Sequence, residues 1–136
     1  MKIERIDHVV LNVRDVEAAA AWYQRVLGMQ RTDFTPGKPG QPPRTALSFG
    51  NQKLNLRPAD TDPADWPTGA NPARGSDDLC FITTSAPDDV IAHLRACAVE
   101  IAEGPVRKQG ALGPMTSVYC RDPDRSLIEI ASYPDV

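Results

Sequence analysis

Ile6-Asp7-His8-Val9-Val10-Leu11-Asn12-Val13, followed by Asp15 and a helical run, is a pattern that this chain uses twice. Alternation puts Val9, Leu11 and Val13 on one side of a strand predicted over 3–13, with His8, Val10 and Asn12 on the other. Asp15 is then expected to cap a helix in which Val16, Ala19, Ala20, Tyr23, Val26 and Leu27 recur at helical spacing, with Gly28 closing it. The Trp22-Tyr23 pair reads as helix packing. The order restarts at Asp78-Leu79-Cys80-Phe81-Ile82, a strand over 78–84. A helix should begin at Ser85 and run through Val90, Ile91, Leu94 and Cys97, with Pro87 early, where a missing N–H costs little.

Each half then continues in the same way. A strand over 29–34 and a loop rich in Pro and Gly (36–43) lead to a hairpin of 45–49 and 53–57 about Gly50-Asn51. In the second half a short strand near Val106 precedes a hairpin of 115–120 and 127–131 about Asp122-Pro123-Asp124-Arg125. Residues 58–75, with Pro58, Pro63, Pro67 and Pro72 and no period, are expected to be an extended linker poor in helix. The expectation is one α+β domain over 1–136. Its two βαβββ modules, 1–57 and 76–134, would curl into a shared curved sheet around a cleft, with the helices outside.

His8 and Asp78 are 70 residues apart, and Arg57 and Glu129 are 72 apart, so the halves are close to in register. The repeat therefore sets His8, Arg57, Asp78 and Glu129 at four equivalent places. Parity points all four to one side of their strands, since Leu56, Leu79, Phe81, Ile128 and Ile130 take the other. Lys53, Asn55, Cys80 and Tyr119 share that side.

Composition narrows the function. With 136 residues, 41% apolar and 24% charged, the chain suits an ordinary globular unit. A net charge of −3 and the lack of a basic run give no case for nucleic acid or an anionic membrane surface. No stretch reaches the length of a membrane span, and the start has no signal-peptide apolar region. Three cysteines without close pairing suit a reduced, cytoplasmic chain, and the absence of Cys-x-x-Cys argues against a thiolate zinc site.

Ile6 to Val13, Trp22-Tyr23-Gln24-Arg25-Val26-Leu27-Gly28-Met29, Gly75 to Phe81, and Gly113 to Asp124 with Leu127-Ile128-Glu129 together resemble the vicinal-oxygen-chelate superfamily. That superfamily takes in glyoxalase I, bleomycin-resistance proteins and extradiol dioxygenases, and the nearest likeness is to small glyoxalase-domain proteins. The resemblance implies paired βαβββ modules, a homodimer and a small-molecule ligand. In metal-using relatives the four places hold a divalent cation, which assigns His8, Asp78 and Glu129 as ligands here, with Glu129 also catalytic. This nitrogen-and-oxygen set suits Mn, Fe or Zn.

Arg57 departs from the pattern, because a guanidinium has no lone pair and would be repelled by a nearby dication by roughly 8 kcal/mol at 4 Å and an effective dielectric of about 20. The departure weakens a glyoxalase I mechanism, and one His with two carboxylates is not the set an extradiol dioxygenase uses. Two readings stand. In one, a metal-dependent glyoxalase- or dioxygenase-like enzyme binds a small, anionic, oxygen-bearing substrate through Arg57, Lys53, Asn55 and Tyr119. In the other, a metal-free, bleomycin-resistance-like protein holds a small molecule or antibiotic, and Arg57 pairs with Glu129.

Overall fold

The computed structural model describes residues 1–37 and 39–134, so Lys38 of the expected loop and the last two residues lie outside the described residues. The chain divides into two compact units, Met1–Arg74 and Gly75–Val136. The first contains β1 (His8–Val13), α1 (Val16–Leu27), β2 (Gln30–Phe34), β3 (Arg44–Phe49) and β4 (Gln52–Pro58). The second contains β5 (Asp78–Ile82), α2 (Pro87–Ala96), β6 (Glu103–Gly110), β7 (Gly113–Arg121) and β8 (Leu127–Ser132). Each unit has its own four-stranded sheet, in the order β1-β4-β3-β2 or β5-β8-β7-β6. In both, the first strand pairs parallel to the last and the remaining pairs are antiparallel.

The repeat therefore gives the same βαβββ topology twice, and it does so for the expected physical reason. In the first unit Leu11, Val13, Leu47, Leu54 and Leu56 are buried together with Ala19, Ala20, Tyr23 and Val26 of α1. In the second, Val118, Cys120, Ile128 and Ile130 are buried with Val90 and Leu94 of α2. Each such Leu, Ile or Val contributes about 1.5–3 kcal/mol by leaving water. Trp22 and Tyr23 pack edge to face at 4.9 Å.

Local signals explain the ends of the elements. The Asp15 carboxylate accepts from Ala18 N at 3.0 Å, and Gly28 closes α1 in the left-handed conformation (φ 65°). At α2 the cap is Ala86 rather than the expected Ser85. It makes no side-chain bond, and Pro87 starts the helix with one fewer N–H to satisfy. The first strand begins at His8 rather than residue 3, because β4, its partner, begins at Gln52 and the register starts at His8↔Lys53.

The proline-rich segment departs most from expectation. It is poor in helix but does not run extended. Ala59 N donates to Val13 O at 2.8 Å, Trp66 N to Asp62 O at 3.0 Å, and Asn12 Nδ2 to Thr68 Oγ1 at 3.1 Å, which turns the segment back as a strap on the first unit.

The second unit is tied by the turn between β7 and β8. Asp122 Oδ1 accepts from Asp124 N and Ser126 N at 3.0 and 2.9 Å, while Leu127 N donates to Asp77 O at 2.9 Å. Gly75 adopts φ 74°, and a Cβ there would collide with Asp124 O. Gly75→Ala is expected to cost about 2 kcal/mol, from a left-handed backbone and a rigid neighbour. Chemical denaturation would read this as an earlier midpoint with an unchanged slope.

Candidate functional site

Strand register decides which polar residues correspond between the units. In the first, His8 stands beside Lys53 and Val10 beside Asn55. In the second, Asp78 stands beside Leu127 and Cys80 beside Glu129. If His8 answers Asp78, then Asn55, not Arg57, answers Glu129. The four equivalent places are therefore His8, Asn55, Asp78 and Glu129. Parity survives a slip of two residues, which is why Arg57 looked equivalent.

Arg57 has another role. It is 1% exposed, and its guanidinium donates to Trp66 O from Nε (3.0 Å), Asn12 Oδ1 from Nη1 (2.8 Å) and Thr61 O from Nη2 (2.7 Å). Two of these acceptors lie in the strap. The guanidinium of Arg44 stacks on Trp66 at 3.8 Å and donates to Asp65 O at 3.3 Å, fixing the strap from the neighbouring strand. Arg57 thus anchors a loop, and its buried head is turned to protein acceptors rather than to a ligand. A cavity of about 310 Å³ beside the strap is lined by Pro42, Pro43, Leu56, Thr61 and Trp66, not by His8 or Asn55.

The face of the first unit away from α1 carries His8, Lys53 and Asn55. His8 is half-exposed, and its Nδ1 lies 2.9 Å from Asp7 Oδ2. A carboxylate only accepts, so the proton of this bond sits on Nδ1, and the lone pair of a neutral ring is then on Nε2. The same bond, with Arg5 behind it, holds the Asp7 carboxyl below its ordinary range. Asn55 is 7% exposed, and its Oδ1 is a buried acceptor with no hydrogen-bond partner. Leaving such an oxygen unmet costs about 1–3 kcal/mol. The Lys53 ammonium lies 4.2 Å from the centre of the Phe34 ring.

The corresponding face of the second unit centres on Glu129. Cys80 stands beside it on β5 and Tyr119 on β7. Ser117 Oγ donates to Glu129 Oε1 at 2.6 Å. Burial, aided by a hydrogen bond to Glu129 and its charge, pushes the Tyr119 hydroxyl up to about 12. Burial and the charge of Glu129 push the Cys80 thiol up to about 11. Both therefore remain protonated donors around one carboxylate, and Cys80 is a poor nucleophile at neutral pH. Asp78 is exposed, two residues before Cys80 on the same face. Sequence reasoning missed Asp7, Ser117 and Phe34. The parity of Ser117 with Tyr119 and the adjacency of Asp7 to His8 were the available signals.

Within each unit, and among the described residues, no three His, Cys, Asp or Glu side chains gather as a metal site. No helix among them is long and apolar enough to cross a membrane.

Comparison with known proteins adds four findings. A family model described as the Glyoxalase/Bleomycin resistance protein/Dioxygenase superfamily matches residues 5–130. Virulence protein STM3117 of Salmonella typhimurium is 41% identical over 98% of this chain and 87% of that protein, and its crystal structure matches at a TM-score of 0.89 over 98% of this chain and 100% of that one. The glyoxalase domain-containing protein RDO1 of Mycosarcoma maydis is 38% identical over 99% of this chain and 72% of its own length. At the level of fold alone, TnmS3, an antibiotic binding protein from Streptomyces sp. CB03234, matches at a TM-score of 0.74 with 18% identity, over 98% of this chain and 99% of that one.

Proposed function

Because the chain belongs to the Glyoxalase/Bleomycin resistance protein/Dioxygenase superfamily, we propose that it is a metal-dependent enzyme acting on a small, oxygen-bearing, anionic substrate. His8, Asp78 and Glu129 would hold the ion, with Asn55 taking the place first given to Arg57. The observation that carries this reading is the orphaned Asn55 Oδ1. An amide oxygen kept from water with no donor is a ligand in waiting for a hard cation, and it stands where the repeat demands a ligand. The donor set fits, since it offers one imidazole nitrogen and oxygens from an amide and two carboxylates, which suits Mn, Fe or Zn. It also takes Arg57 out of the ligand set, because its guanidinium is turned to Asn12 and to carbonyls of its own strap.

When bound, the ion would supply Lewis-acid polarisation of adjacent substrate oxygens. The protein's own groups do the rest. Asp7 orients the His8 ring through Nδ1. Ser117 fixes Glu129 through Oε1 and leaves Oε2 to ligate or to take a proton. Tyr119, protonated at any working pH, donates a hydrogen bond to Glu129 or to a substrate oxygen.

The test is elemental analysis of untagged protein supplemented separately with Mn, Fe(II) and Zn. Near-stoichiometric uptake of one metal is expected, and Glu129→Ala should weaken its affinity about a hundredfold. Uptake below about a tenth of an equivalent in all three would instead support the metal-free reading, a cytoplasmic binding protein that holds an antibiotic or other small molecule unchanged. In either case the family resemblance leads us to expect a homodimer.

A further inference from the structure

Lys53 is a half-buried cation without an ion pair among the described residues. The acid that feels its field is Asp7, whose carboxylate is already bound to His8 and Arg5. Its ammonium sits over the Phe34 ring at 4.2 Å. A ring face meets the charge but accepts no ordinary hydrogen bond, and an ammonium has three N–H donors to place.

The register shows how unusual this seat is. Lys53 is level with Ser48 on β3 and Gln30 on β2, whereas Phe34 lies four residues further along β2. The side chain therefore crosses the sheet diagonally, over the row that carries Asn55 and Ala46, instead of standing next to its direct neighbour His8. Phe34 thus draws the ammonium toward β2, along the side of β4 opposite to His8. A cation beside a buried acceptor that lacks a donor is matched to a ligand with an anionic end and a neighbouring hydroxyl.

We infer that Lys53 and Phe34 form an anion subsite, in which Lys53 binds a carboxylate of the ligand and Phe34 is a positioning residue that fixes where the ammonium stands. The ligand class is a small hydroxycarboxylate, its carboxylate on Lys53 and its hydroxyl, the second oxygen, donating toward Asn55 Oδ1. The direction of the second oxygen rests on the function proposed above, but the carboxylate contact does not.

The experiment uses metal-stripped, full-length protein at constant ionic strength, so a chain that never binds metal can still pass. Lactate and its neutral isostere lactamide are titrated while backbone amide NMR signals are followed. Lactate should perturb β4 and β2 and bind about tenfold more tightly than lactamide. Lys53→Met, with Lys53→Gln as a second variant should the first not fold, should abolish that preference. Phe34→Leu should weaken lactate about three- to tenfold while leaving lactamide unchanged, and Phe34→Tyr should restore it. Equal binding of lactate and lactamide to the native chain overturns the inference, as does a preference that survives both Lys53 variants. Equal losses for both probes in Phe34→Leu assign that ring a structural role and overturn the positioning claim.

Discussion

Arg57→Met should lower the unfolding free energy by about 3–5 kcal/mol, because it leaves three acceptors without their donor. The side chains are similar in length and the site is packed, so lost volume contributes little. What is lost is a guanidinium whose three nitrogens meet Trp66 O, Asn12 Oδ1 and Thr61 O at 2.7–3.0 Å. Bonds from a charged donor contribute about 1.5–3 kcal/mol each, and three such acceptors cannot all be rehydrated while the strap stays closed. Opening the strap would return water to those carbonyls but strip Trp66 from Arg44. The variant should therefore show two effects in proportion, an earlier denaturation midpoint and faster proteolysis between residues 59 and 68. Arg57→Lys keeps the charge and only part of the donor fork, so an intermediate loss of about 2 kcal/mol is expected. A midpoint unchanged in both variants would mean that the strap is held by Arg44 and Asn12 without Arg57.

That role was hidden in the sequence for an identifiable reason. Parity correctly put Arg57 on the face away from α1, together with Lys53 and Asn55. Whether a residue on that face meets a ligand or another part of the chain depends on what covers it. The cover here is a segment with no hydrophobic period and four prolines, whose local turns are docked by long-range hydrogen bonds. The elements themselves were easier. Asp15 and Gly28 end α1 by side-chain and backbone chemistry legible in single residues. α2 begins at a residue without a capping side chain, so Ser85, one position away, attracted the assignment. β6 proved to be a full strand, Glu103–Gly110, although Gly104 and Pro105 had masked its start.

The repeat specifies the topology but leaves the site ambiguous by two residues along β4. Strand side chains repeat every second residue, so displacing β4 by two leaves every in-or-out assignment unchanged. Only a pairing partner removes the ambiguity. His8↔Lys53 set against Asp78↔Leu127 does so, and it moves the fourth place from a base to an amide. Glu129 shows what the sequence also could not display. Its neighbours Ser117, Tyr119 and Cys80 come from three separate strand positions; Ser117 donates to it, and Tyr119 and Cys80 flank it with groups kept protonated. A carboxylate so supported needs no basic partner, which takes away the reason for pairing it with Arg57.

Two substitutions at Asn55 should move stability in opposite directions, and one of them should improve metal binding. Asn55→Leu is nearly isosteric and removes an acceptor that the folded protein leaves unmet, so the metal-stripped chain should gain about 1 kcal/mol. The same change deletes the oxygen assigned to the ion, and metal affinity should fall about tenfold or more. Asn55→Asp keeps the shape but places a carboxylate at a site that is 7% exposed. Lys53, two residues away on β4, compensates it in part, so the metal-stripped variant should lose about 2–3 kcal/mol at neutral pH. Burial raises the carboxyl above its unfolded value. The penalty should therefore be full above the folded pKa and disappear as pH falls below it, because the folded state then binds the proton more readily than the unfolded one. A divalent ion reverses the balance, since a charged ligand replaces a neutral one and affinity follows ligand charge, by about ten- to a hundredfold. Melting each protein with and without excess metal reads all of this at once. The metal-induced rise should be largest in Asn55→Asp, smaller in the native chain and smallest in Asn55→Leu. If all three rise equally, Asn55 does not ligate, and its bare oxygen serves a hydrogen-bond donor on the substrate instead.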